Sequence, residues 1–160
     1  MNIQERLKGI KGHLKIEHRG PDGKLKEVRE IDNLILTDGL EIFADLLVGS
    51  GGTQINPGQT AIAVIAAGSD NTAPTVADTD LVTPLPSDRA VTVNSQPSSA
   101  LARFVANFTA GIATGTWREL VLADTDAAKG ARKCASRVVF GDMIKGALDT
   151  IAVTWEITFS

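Results

Sequence analysis

"DTIAVTWEITFS", residues 149–160, carries the clearest pattern in the chain. Ile151, Val153, Trp155, Ile157 and Phe159 fall on one face of an extended segment, and Ala152, Thr154, Glu156 and Thr158 on the other. A period of two marks a half-buried β-strand, in which a one-residue slip would turn every large side chain into water. The alternation therefore sets both the element type and its register. A strand at a chain end frays unless something ties it down, so this one is expected to be paired inside a sheet. Trp155, Ile157 and Phe159 are expected to form one wall of the core.

The same reading extends upstream. "RKCASRVVF" (132–140) precedes "GDMIKGALD" (141–149), which has turn chemistry, and "TWRELVLA" (116–123) follows the glycine turn "AGIATG" (110–115). In "ALARFVANFT" (100–109), Ala102, Phe104, Ala106 and Phe108 share a face. "RAVTVNS" (89–95) reads as a strand bounded by "SQPSS". "TAIAVIAAG" (60–68) is an apolar strand ending at Gly68, followed by a long loop rich in Pro, Ser, Thr and Asp. "GHLKIEH" and "LKEVREI", joined by "RGPDGK", form a hairpin. Between them and the apolar strand the period changes: Leu40, Phe43 and Leu46 or Leu47 recur at helical spacing, Thr37 or Asp38 can cap, and Gly49 stops the run. The expected fold is mainly β: an antiparallel sandwich or barrel with one short amphipathic helix near 38–48 and an N-terminal hairpin.

At 160 residues the chain has the length of one domain. Charge divides it unevenly. Residues 1–30 hold eight Lys or Arg against five Asp or Glu, whereas the remainder holds eight against fourteen. The reading therefore separates a basic arm and hairpin, 1–32, from a β-sandwich domain, 33–160. Lys8, Lys11, Lys15, Arg19, Lys24, Lys26 and Arg29 are its candidate assembly contacts, because opposite patches on identical subunits favour head-to-tail association. The rival reading of this segment is a solvated hairpin that covers a sheet edge.

Composition argues against several function classes. Aromatic residues make up 4% with no Tyr, and the formal charge is -3, which suits neither base stacking nor a phosphate backbone. No run approaches a membrane span, no apolar leader opens the chain, and a soluble protein made in a reducing cytosol is expected. The single cysteine, Cys134, reads as a small strand residue. His13 and His18, five apart, fall on opposite faces of an ideal strand and make a poor metal or catalytic pair. The "DTD" triplets at 78–80 and 124–126 offer paired carboxylates without an EF-hand's glycine and distal glutamate. "GSGGTQ" (49–54) follows a helix instead of leading into one, so it offers no helix N-terminus to a phosphate. No G-x-S-x-G elbow accompanies the serines. Trp117 and Trp155 alternate in phase with apolar neighbours and are expected in the core. Arg89 and Arg103 are expected to pair with acidic loops or a neighbouring subunit. No catalytic residue, cofactor or metal site is expected.

The order of the pieces resembles a group of tailed-bacteriophage virion proteins. The resemblance is carried by "NLILTDGL" (33–40), "AAGSDNTAP" (66–74), "DTDL" (78–81) and above all "RVVFGDMIKGALDTIAVTWEIT" (137–158), and it spans most of residues 33–160. Two departures are visible: "ELVLADTDAAKGARKC" stands where the group has E-x-G-[LV]-F, and "AAG" where it has "AVG". The resemblance implies a non-catalytic structural protein of the virion, made in the bacterial host's cytoplasm. It would belong to the tail, neck or fibre-attachment apparatus and be present in many copies, with other tail, neck or major capsid proteins as partners. The alternatives are a capsid decoration protein clamping shell subunits, and a carbohydrate-binding sandwich using an exposed tryptophan.

Overall fold

The computed structural model describes residues 9–48 and 60–160. Eight antiparallel strands close into a barrel: β1 (Ile10–Arg19), β2 (Leu25–Ile35), β3 (Val64–Gly68), β4 (Pro84–Ser98), β5 (Leu101–Phe108), β6 (Gly115–Ala123), β7 (Cys134–Lys145) and β8 (Thr150–Phe159). The order around the barrel is β1-β2-β7-β6-β3-β4-β5-β8. One helix, α1 (Thr37–Val48), connects β2 to the segment before β3. The mainly-β fold with a single short helix is the one the alternation predicts. No helix among the described residues is long and apolar enough to cross a membrane.

The terminal strand is central. β8 pairs with β1 from Ile10↔Phe159 to Arg19↔Thr150, and on its other edge with β5 from Leu101↔Thr158 to Phe108↔Ile151. Its register follows its alternation: Ile151, Val153, Trp155 and Ile157 are buried in the barrel. Phe159 departs from the expected wall, being 39% exposed, because it sits at the mouth of the barrel. There its ring meets Phe43 of α1 edge-on at 5.7 Å.

The N-terminal hairpin is part of this barrel, which corrects the division at residue 32. β1 supplies Leu14 and Ile16 to the core at 0% exposure, and β2 runs without a break through the expected boundary to Ile35. Charge drew the boundary, but charge occupies only the outward face of β1, whereas Leu14, Ile16 and His18 face inward. A second correction concerns "GDMIKGALD". β7 continues through Gly141 and Asp142 as a bulge, with Trp117 opposite Met143 and Glu119 opposite Val139, and the turn itself begins at Gly146. Extra residues on one strand bend it without ending it.

The barrel closes between β2 and β7 through only two residue pairs, Leu34↔Arg137 and Ile35↔Ser136. Beyond them the strands part, and Arg29 of β2 spans the gap, donating to the carbonyls of Gly141 and Asp142 and lying over the Phe140 ring. On the far side of β7, the sheet of β3, β6 and β7 is buried on both faces. Leu120 and Leu122 point into the barrel, while Val121 and Ala123 pack outward with Leu36, Val64, Ala66, Leu81 and Cys134. The loop between β3 and β4 covers that outer face, which is why β3 reads as an unbroken apolar run.

Candidate functional site

The charged side chains are concentrated under the β3–β4 loop. Arg137, on the outward face of β7, is fully buried and donates from Nε and Nη2 to Glu119 Oε2 at 3.0 and 2.8 Å, and from Nη1 to Asp78 Oδ2 at 2.7 Å. Glu119, also fully buried, accepts the backbone N–H groups of Val82 and Thr83 at 3.0 and 2.8 Å. Arg132, at the start of the β7 approach, is held by Asp80 at 2.7 Å and Asp88 at 3.1 Å. Arg89 continues the chain of charges from Asp88 to Asp126, each at 2.9 Å.

These contacts pin the loop to the sheet. Burial alone would raise the Asp78 carboxyl, but hydrogen bonds from Thr75 and Arg137 outweigh it and hold the group below its ordinary value. Burial would likewise lower Arg137 and Arg132, yet their carboxylate partners keep both above the ordinary value. Charged groups tied to one another in this way act as structural clamps between loop and sheet.

A second cluster forms at the opposite turn. Asp149 Oδ2 accepts from Gly146 N at 2.9 Å and lies 2.9 Å from His18 Nε2, and both its oxygens accept from Lys26 Nζ at 2.9 Å. The Lys26 ammonium, the Gly146 N–H and His18 together push the Asp149 carboxyl far below its usual range. Lys145, fully buried beside it, donates to the Thr109 carbonyl at 3.0 Å, and burial lowers its pKa although Asp149 opposes the shift.

The two histidines take different places. His13 lies 3.1 Å from Asp32 at the surface, while His18 is buried in the Asp149 cluster. Inward-facing positions of β1 are closed to solvent, and only a polar partner makes histidine tolerable there. Both "DTD" triplets face cations already supplied by the chain: Asp78 and Asp80 meet Arg137 and Arg132, and Asp126 meets Arg89. Arg103 pairs with Glu156 at 2.7 Å on the neighbouring strand. Cys134 is buried, and that burial pushes its thiol well up, away from reactivity. "GSGGTQ" and Lys8 lie outside the described residues.

Of the basic candidates, five meet partners within the chain. Lys26 serves Asp149, Arg29 bridges to β7, Arg19 donates to the Gly23 carbonyl, and Lys24 lies 3.4 Å from Asp22. Lys15 lies 3.6 Å from Glu17, and Lys11 is exposed. Lys11 and Lys15 lie on β1, whereas Arg29 and Lys26 are tied to the β7 side.

Trp117 and Trp155 are both fully buried. Trp117 Nε1 donates to the Ala113 carbonyl at 2.7 Å and its ring meets Phe108 edge-on at 4.7 Å, while Trp155 Nε1 donates to Asn33 Oδ1 at 3.1 Å. Neither can stack on a sugar, so the carbohydrate-binding alternative loses the residue that would carry it. The pairing of Arg137 with Glu119 was missed in the sequence. The visible signal was an arginine inside the apolar run "CASRVVF" with a glutamate inside "WRELVLA".

The described residues thus form a closed eight-stranded antiparallel barrel with ionic clusters at several of its joints. Comparison with protein-family models, with curated proteins and with solved structures finds no match.

Proposed function

We propose that this chain is a non-catalytic structural protein of a tailed-bacteriophage particle, a tail, neck or fibre-attachment component present in several copies. What supports the reading is where the residues carrying the resemblance sit. Asn33 receives Trp155, Asp78 receives Arg137, Lys145 holds Thr109, and Asp149 ties the β7–β8 turn to His18 and Lys26. Gly39 lies so close to the Ala135 backbone that a Cβ there would collide with it. Residues set aside for chemistry converge on a cleft with room for a substrate. These instead join strand to strand, loop to sheet and helix to sheet, as suits a module used for its shape.

Antibody labelling of purified particles from a host carrying the gene tests the proposal. Label on the tail or neck is expected. Label spread over the head would favour capsid decoration, and particles that lack the protein by both labelling and mass spectrometry would overturn the virion reading.

A further inference from the structure

One edge of β2 is open. From Leu25 to Asn33 this strand pairs with β1 alone, and among the described residues no strand pairs with its other side until Leu34 and Ile35 meet β7. Along this stretch β7 carries its bulge at Gly141 and Asp142, and the Arg29 side chain spans the gap to their carbonyls. Val28, in the middle of the open edge, is 41% exposed. An unpaired row of backbone donors and acceptors is a template for another strand.

The side chains along this edge specify which strand it fits. Residues 24–32 read "KLKEVREID", and laid antiparallel on a second copy about Val28 the segment complements itself. Val28 meets the partner's Val28, Glu27 the partner's Arg29, Lys26 the partner's Glu30, Leu25 the partner's Ile31 and Lys24 the partner's Asp32. Residues directly opposite share a face, so each charge on this stretch faces its opposite and each aliphatic side chain faces another. Glu27, Arg29 and Ile31, paired with His18, Ile16 and Leu14 of β1, lie on the barrel side, whereas Lys26, Val28 and Glu30 lie on the solvent side. Sliding the copies by one residue sets Glu27 against the partner's Glu30, or Lys26 against the partner's Arg29, and like charges directly opposite repel. Charge on an edge ordinarily keeps copies apart; here its order admits one register.

We infer that two copies of this chain pair through β2, antiparallel about a two-fold axis at Val28, joining their hairpins into one sheet in the order β1-β2-β2-β1. In the pair Arg29 exchanges the β7 carbonyls for the partner's Glu27, a carboxylate of the kind it already holds on its own strand. The interface is isologous, with the same patch on both subunits, where the net charge of the segment had suggested head-to-tail contacts. It belongs to the isolated chain and does not depend on the virion reading.

Disulfide trapping in the full chain tests it. Position 28 faces itself across the axis, with Cα atoms about 4.5–5.5 Å apart, inside the range a disulfide spans. Mild oxidation of Val28→Cys should therefore give mostly covalent dimer on a non-reducing gel. The buried Cys134 stays out of the reaction. Val93→Cys, at a β4 position whose valine is 73% exposed, controls for random collision and should close several-fold less. Adding Glu30→Lys to Val28→Cys sets a lysine against the partner's Lys26 and should cut closure several-fold while the melt stays cooperative. Without oxidant, the unaltered chain should sediment as a monomer and dimer in reversible exchange. Closure at 28 no greater than at 93, closure unchanged by Glu30→Lys, or a chain that stays monomeric as its concentration is raised would each overturn the pairing.

Discussion

Replacing Arg137 by Met tests whether the buried charges clamp the β3–β4 loop. The side chains of Arg137 and Glu119 are both 0% exposed, and Arg137 makes three hydrogen bonds to carboxylates, two to Glu119 and one to Asp78. Removing one partner of a buried pair leaves an uncompensated charge and costs about 3–5 kcal/mol. Glu119 retains the N–H groups of Val82 and Thr83, and Asp78 retains Thr75. Bonds to charged groups are worth about 1.5–3 kcal/mol each, so the surviving ones place Arg137→Met near the lower limit, at about 3 kcal/mol. That is a large share of a domain's total of about 5–15 kcal/mol. Urea unfolding followed by the emission of the buried Trp117 and Trp155 measures it, provided the denaturant slope is unchanged. Arg137→Met/Glu119→Leu should cost less than the sum of its single changes, with a coupling of about 0.5–3 kcal/mol. A single-variant cost below about 1 kcal/mol, the value of an exposed pair, or strict additivity in the cycle would refute the clamp.

Trp155→Ala should destabilise by about 3–5 kcal/mol in the same assay, whereas Phe159→Ala should cost clearly less because that ring is part-exposed; equal losses would contradict the register of β8. Acid should weaken the fold through Asp78 and Asp149, both held below their ordinary value of 3.8 when folded. A depressed carboxyl stabilises above the unfolded value and loses that contribution as pH falls through the folded one. The melting temperature should therefore be level above about pH 5 and decline below about pH 4, with a shallower decline in Asp149→Asn; a flat profile down to about pH 2 would count against both clusters. Gly39→Ala should lower the melting temperature by pushing α1 off the Ala135 backbone, and an unchanged melt would mean that the helix sits further out.

The fold was legible where side chains alternate against a single covered face. β8, β5 and β1 show that pattern, and the helix betrayed itself by its change of period. What misled was charge. Eight basic residues in the first thirty suggested a separate arm, yet β1 places its lysines outward and Leu14 and Ile16 inward, so a strand can look solvated in composition and still build the core. The bulge in β7 was hidden because Gly141 and Asp142 are turn residues by habit, while Arg29 and Arg118, reaching from the flanking strands β2 and β6, hold them in the sheet. The ionic clamps were equally out of view. Glu119 and Arg137 become diagonal neighbours only through the register of β6 and β7, and Asp78 reaches Arg137 from a loop whose path no local pattern fixes.

The position of β8 between β1 and β5 bears on how the protein is made. Synthesis delivers β1 first, but one edge of that strand finds its partner only when β8 emerges, after every other strand has been produced. Until then β1 and β5 each present an open row of backbone donors and acceptors beside a core without Trp155. Contacts so distant along the chain form slowly, and unpaired edges invite association with other nascent copies in the meantime. A cell that makes this protein in quantity holds, at any moment, a population of chains still waiting for their central strand, and the yield of folded protein depends on keeping those chains apart.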